Sequence, residues 1–258
     1  MGVAAKRIDA VHYPESDDMG EHELQRFIAE LLRPLIARWL QRQLRVARAG
    51  ADTFFYFVEG DPRRVRAPDV YVIDGVSQDA LEVGSWKTWE GNRPSFALEI
   101  AGDDYKKDYL EAPADYDVMG VTEAVIFDPW ATAKSRKRVR WQVYRRVAKK
   151  GFVRVESTMS DRVYCESLGA WLRRVEVDGH VRLRVGFGDG GEELVPTDAE
   201  VAEAERTVRR ITEAQASAER LARQAAEEHA RIEKTAREKA EAELASVRAE
   251  LERLRRGG

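Results

Sequence analysis

"RAPDVYVIDG" (Arg66–Gly75) and, after a loop, "RPSFALEIAGDDYKKDYLEAPADYDVMGVTEAVIFDPW" (Arg93–Trp130) carry most of the information in this chain. Each opens with a strand-like apolar run, "DVYVI" and "SFALEI", and each run has an acid near one end: Asp69 at the head of the first, Glu99 at the tail of the second. Either both acids face solvent at strand ends, or they meet at a metal ion. Two carboxylates are the minimum set for a hard divalent cation such as Mg2+ or Mn2+, which takes oxygen ligands and keeps several waters. Neighbouring strands would let the two converge on one edge of a sheet. Alternation sets Ser95, Ala97 and Glu99 on one face and Phe96, Leu98 and Ile100 on the other. Glu99 therefore either faces water from a half-buried strand or sits among apolar residues, where a charge is costly unless paired or metal-bound. Spacing alone does not choose.

A cation held there would bind a phosphodiester oxygen, lower the pKa of a coordinated water and stabilise transition-state charge. Lys106 and Lys107, seven and eight residues past Glu99, are the candidate assisting cations. Asp103, Asp104 and Asp108 share that segment, which also reads as an ordinary charged loop–helix boundary.

The wider composition sets limits. The chain has 258 residues, 43% of them apolar, enough for one cored domain plus an appendage. With 43 basic and 46 acidic side chains the net charge is −3, so there is no global attraction to nucleic acid; a polyanion would need a local patch or a bound cation. The single cysteine, Cys165, excludes an internal disulfide framework and reads as a structural thiol in a strand. No run of about 20 apolar residues spans a membrane, and the start lacks the apolar core of a signal peptide. A soluble cytoplasmic protein with no membrane partner is expected.

Along the chain, residues 1–18 are irregular. Helical spacing follows from Glu21 to Leu44, with Pro34 predicting a kink or two consecutive helices. Strands then alternate with helical material broken at Pro113, which predicts an α/β mixed sheet with at least one crossover. The last hairpin, "WLRRVEVDGHVRLRVGF", turns at Asp178–Gly179. Residues 19–190 are expected to form the main domain, 191–197 a linker and 198–258 a charged helical tail. That tail is rich in Ala, Glu and Arg, and Leu244, Val247, Leu251 and Leu254 keep a 3,4,3 spacing. A coiled coil that makes the protein a homo-oligomer is one expectation; a lone charged helix is the other.

"EHELQ" is not a zinc-protease motif, because position 26 is Arg26. The four histidines are too scattered for a Ser-His-Asp set. Trp86 and Trp89 read as a cover for the sheet or as a base-stacking pair. The cluster "KSRKRVRWQVYRR" (Lys134–Arg146) is the best local polyanion patch; Arg136, Lys137, Arg138 and Arg140 are the candidates for DNA backbone contact, with a solvated strand as the alternative.

"APDVYVIDG", "PSFALEIAG" and "DYLEAPADYDVMGVTEAVIFDP", taken in order, resemble the Uma2 family of the PD-(D/E)XK nuclease superfamily. The resemblance implies a restriction-endonuclease-like fold: a mixed sheet with flanking helices, here followed by a long charged helix. It implies a divalent-metal-dependent endonuclease acting on DNA rather than RNA, with Asp69 and Glu99 as the metal-binding acids. Asp108 matches the helix Asp, Tyr116 the helix Tyr, Gly120–Val121 a turn, Glu123 its acid, Asp128–Pro129 the closing pair and His22 an N-terminal helix His. The departures concern lysine: the superfamily position two residues after the Glu is Ala101, and the family's helix position is Ala112. A catalytically degenerate binding or assembly module is the alternative this leaves.

Overall fold

A computed structural model describes residues 23–80, 84–91 and 93–256, so the proposed His22 match lies outside the described residues. The chain divides into two compact units, one ending at Val195 and the other starting at Pro196.

The first unit opens with helix α1 (Glu23–Arg42), a single helix running through Pro34 rather than the kinked or divided one expected from sequence. Proline removes one backbone donor, but Ile28, Leu32, Leu35, Ile36, Trp39 and Leu40 on both sides of it are buried together, and that packing outweighs one lost hydrogen bond. Arg45 lies past the end of α1 and pairs with Asp74 at 2.6 Å.

Strands follow as β1 (Ala47–Gly50), β2 (Phe54–Tyr56), β3 (Val65–Arg66), β4 (Val70–Asp74), β5 (Ser85–Lys87) and β6 (Phe96–Ile100). A π-helical turn, Lys107–Glu111, leads into α2 (Ala112–Met119). Pro113, expected to break this segment, instead occupies its first turn, where the missing N–H would have had no helical partner. Gly120, at φ 81°, ends the helix in the left-handed conformation that glycine adopts without a Cβ penalty. Then come β7 (Glu123–Phe127), β8 (Trp141–Val147) and β9 (Gly151–Thr158). The unit closes with β10 (Arg162–Cys165), β11 (Ala170–Val177), β12 (His180–Phe187) and β13 (Glu193–Leu194).

The central sheet has six strands in the order β1-β4-β6-β7-β8-β9. Its one parallel pair is β6–β7, joined by the crossover through α2. A four-stranded sheet, β10-β11-β12-β13, and a small one, β3-β2-β5, complete the unit. The fold is α/β and restriction-endonuclease-like, with helices flanking a mixed sheet.

Both faces of the central sheet are covered, which is why β6 and β7 are buried at every position. Phe96, Leu98, Ile100, Val125 and Phe127 pack with α1 and the four-stranded sheet. Ala97 and Ala124 face a second cluster made by Phe55, Tyr71, Trp86, Ala112, Tyr116 and Met119. Trp86 donates from Nε1 to the Tyr71 hydroxyl at 3.1 Å, so it is core rather than a base-stacking surface. Cys165 is fully enclosed, and burial pushes its thiol well above the usual range.

The second unit is α3 (Asp198–Arg256), 59 residues with none buried. A reciprocal cap starts it: the Glu200 amide donates to Thr197 Oγ1 and the Thr197 amide to Glu200 Oε2. Arg–Glu pairs four residues apart, such as Arg209–Glu213 at 2.8 Å and Arg237–Glu241 at 3.0 Å, line its flanks. Among the described residues, no helix is long and apolar enough to cross a membrane.

Candidate functional site

The antiparallel register of β4 and β6 sets Val70 against Leu98 and Tyr71 against Ala97. Continued by one residue, it sets Asp69 opposite Glu99, a spacing at which facing side chains interact directly. The ladder stops there because the Ile100 amide donates to Asp69 Oδ2 at 2.5 Å instead of to a backbone carbonyl.

Glu99 does not face water. It is 6% exposed, beneath α2. Its Oε1 accepts from the Tyr116 hydroxyl at 2.5 Å and from Arg66 Nη1 at 3.2 Å. Asp108 Oδ2 accepts from the Gly102 amide at 3.1 Å. Burial, and next the Glu99 charge, push the Asp69 carboxyl well above the usual carboxylate range against the pull of the Ile100 amide. Burial also raises Glu99, opposed by Arg66 and the Tyr116 hydroxyl, and it raises Asp108. The same enclosure and the Glu99 charge drive the Tyr116 phenol well above its ordinary value.

Asp69, Glu99, Ile100 and Asp108 line a cleft of about 670 Å³. It gathers Asp69, Glu99, Lys107 and Asp108 from the sequence reading, together with Gln25, Arg63, Arg64, Arg66, Glu111 and Asp115, which that reading missed. Gln25 reaches it from α1, donating from Nε2 to the Ile100 carbonyl. Arg66 was legible only as a neighbour of the Pro-Asp pair. Its partner Asp115 lies 49 residues away, so no local pattern announces the contact.

The remaining nominated cations stand elsewhere. Lys106 is exposed and does not line the cleft. Arg136 and Lys137 are exposed in the segment leading to β8. Arg138 is tied down, donating to Asp128 at 3.1 Å, to the Gly102 carbonyl at 3.2 Å and to the Asp103 carbonyl at 3.0 Å. Arg140 donates to the Met159 carbonyl at 2.7 Å. The last two thus have partners within the fold, while Arg136 and Lys137 stay open to solvent. Glu123 and Asp128, 1% and 0% exposed, are likewise structural anchors.

Among the described residues no group of three or more His, Cys, Asp or Glu side chains is assembled as a metal-ligand set. The facing pair nonetheless fits a Mg2+-class ion, which needs only one or two carboxylates. Asp69 Oδ1 and Glu99 Oε2 take no hydrogen bond among the described residues, and the repulsion that raises Asp69 is what a cation would relieve.

Residues 15–172 match the model of the Uma2 family, described as "Putative restriction endonuclease". The chain belongs to the Uma2 family. No curated protein matches it. Among solved structures, a similar one is described as a "putative nuclease belonging to DUF820" from Anabaena variabilis ATCC 29413. It shares 17% identity over 57% of this chain and 74% of that one, with a TM-score of 0.40, a likeness too distant to bear on the site. The Uma2 match includes every residue that lines the cleft.

Proposed function

We propose that the cleft holds one divalent cation, Mg2+ or Mn2+, between Asp69 and Glu99, and that the chain uses it to hydrolyse phosphodiester bonds in nucleic acid. DNA is preferred over RNA as substrate because the matched family is described as a restriction endonuclease. The observation that carries this reading is the charge balance of the cleft. Asp69, Glu99, Asp108, Glu111 and Asp115 face Arg63, Arg64, Arg66 and Lys107. With all five ionised, the carboxylates outnumber the four cations by one and the metal-free cleft repels a polyanion; one divalent ion makes it net positive.

When bound, the ion would polarise a phosphoryl oxygen and make a water a better nucleophile. The chain's own groups supply position. The Ile100 amide fixes one Asp69 oxygen, and Tyr116 and Arg66 fix one Glu99 oxygen, which leaves the second oxygen of each acid for the ion. Arg63 and Lys107, exposed at the cleft, can follow a phosphate backbone. The test is incubation of supercoiled DNA, linear DNA and RNA with and without Mg2+ or Mn2+. Metal-dependent nicking of DNA that disappears in Asp69→Asn supports the reading; no nicking under broad conditions contradicts it.

A second reading, a non-cleaving binding or assembly module, is favoured by one observation: Ala112, where the family resemblance expects lysine, is fully buried, as is Ala101 at the wider superfamily's lysine position. Under either reading we propose that α3 self-associates. Val208, Ile211, Leu221, Leu244, Val247, Leu251 and Leu254 are each more than half exposed along it, an apolar seam that a second copy would cover.

A further inference from the structure

Arg66 is a cation that neither lysine of the sequence reading resembles. It ends β3 with a side chain only 9% exposed, yet it lines the cleft beside Asp69 and Glu99. Nε and Nη2 both donate to Asp115 Oδ2, at 3.0 and 2.9 Å, and Nη1 donates to Glu99 Oε1 at 3.2 Å. The Tyr116 ring centroid lies 5.8 Å from its guanidinium carbon. A guanidinium carries five N–H groups in a fixed plane. These contacts use three, which leaves one on each Nη.

A fixed positive charge next to Glu99 weakens that carboxylate's hold on any cation. It becomes an asset when an anion arrives with the cation. As a plain counter-ion it would need only the contact to Glu99, and buried ion pairs add little stability over apolar packing. The two bonds to Asp115 do something else: they set the plane of the fork. Planar, doubly donating recognition of phosphate is what distinguishes arginine from lysine.

The competing cations are less well placed. Arg63 is 88% exposed and turned to Asp61 in its own loop. The Arg64 side chain is 44% exposed, and Lys107 is exposed. Each would lose side-chain freedom on docking, whereas Arg66 is already held.

We propose that Arg66 grips a phosphate of the bound strand through its two remaining N–H groups, as the catalytic cation of this cleft, with Asp115 as its positioning residue. The proposal rests on the hydrolase reading above and names the group that meets the substrate's charge.

The test compares the full-length protein with Arg66→Lys, Arg66→Met and Asp115→Asn. Arg66→Lys keeps the charge and loses the fork. Should Arg66→Met fail to fold because it strands Glu99 and Asp115, the lysine variant carries the result. Three quantities are read: kcat and KM for metal-dependent DNA cleavage, affinity for a short DNA duplex in Ca2+, and affinity for Mn2+ alone. Arg66→Lys is expected to lower kcat about 100-fold, the scale for losing one transition-state donor, and to weaken duplex binding while Mn2+ affinity stays near wild type. Cleavage and duplex binding close to wild type in Arg66→Lys would overturn the proposal; loss of cleavage in Asp69→Asn would then show that the hydrolase reading survives without it. A wild type that binds duplex without cutting it, with binding still weakened in Arg66→Lys, sinks hydrolysis and upholds the phosphate contact. A wild type that neither cuts nor binds sinks both.

Discussion

Asp69 faces Glu99 across the β4–β6 pair, one residue beyond the register that joins Val70 to Leu98. A strand pair that ends in two opposed carboxylates, one of them beneath a helix, is electrostatically unfavourable by itself. A proton or a cation resolves it, and this makes the pair measurable.

Without divalent cation, Asp69, Glu99 and Asp108 all hold protons more tightly folded than unfolded. Their contribution to stability is therefore complete below the unfolded values, about 4, and is lost as pH rises through the raised folded values. Asp69→Asn removes the cost of the charge while its amide oxygen can still accept from Ile100. Thermal unfolding should show this variant about 2–4 °C more stable at pH 8, an effect of roughly 1 kcal/mol in a domain of this size, and close to wild type near pH 4. A variant less stable than wild type at pH 8 would contradict the cited shifts.

Tyr116→Phe removes the 2.5 Å hydrogen bond that Glu99 receives from above. A lost bond to a buried charged group costs about 1–3 kcal/mol. Urea unfolding should move to a lower midpoint with an unchanged slope; an unmoved midpoint would mean that the hydroxyl gives Glu99 no support.

Glu123→Gln should be more damaging and yet leave metal affinity alone. Glu123 Oε1 accepts from Arg145 Nε at 2.6 Å and from the Glu166 amide at 3.1 Å, and Oε2 accepts from the Ser167 amide and hydroxyl at 2.8 and 2.5 Å. It ties the six-stranded sheet to the turn between β10 and β11. An amide there presents N–H to donors, and breaking such a pair costs about 3–5 kcal/mol. Calorimetry would detect a large drop in unfolding temperature. A small one would mean that the clamp is not structural.

Deleting residues 198–258 tests the α3 seam. Light scattering should show an oligomer for the full chain and a monomer for the truncated one. Equal association states would remove the helix as the cause.

The strands around Asp69 and Glu99 were readable because they are short, apolar and bounded by turn residues, and the β6–α2–β7 crossover follows from a helix between two such runs. The burial of Glu99 was not readable, because alternation reports which face a residue takes but not whether Tyr116 and α2 cover that face. Pro34 and Pro113 misled in one sense each. Local rules penalise proline, but dense packing around the first and a first-turn position for the second remove the penalty. Charge in sequence likewise does not reveal that Arg138 and Arg140 of the basic cluster donate to backbone carbonyls. Arg66 stayed hidden for the opposite reason, since its importance lies in two partners 33 and 49 residues away.

Mn2+ titration by calorimetry, at a pH above the raised carboxyl values, tests the shared ion most directly. The account predicts a single site in the wild type that weakens at least about tenfold, roughly 1.4 kcal/mol, in both Asp69→Asn and Glu99→Gln. Binding that survives unchanged in either folded variant would contradict it.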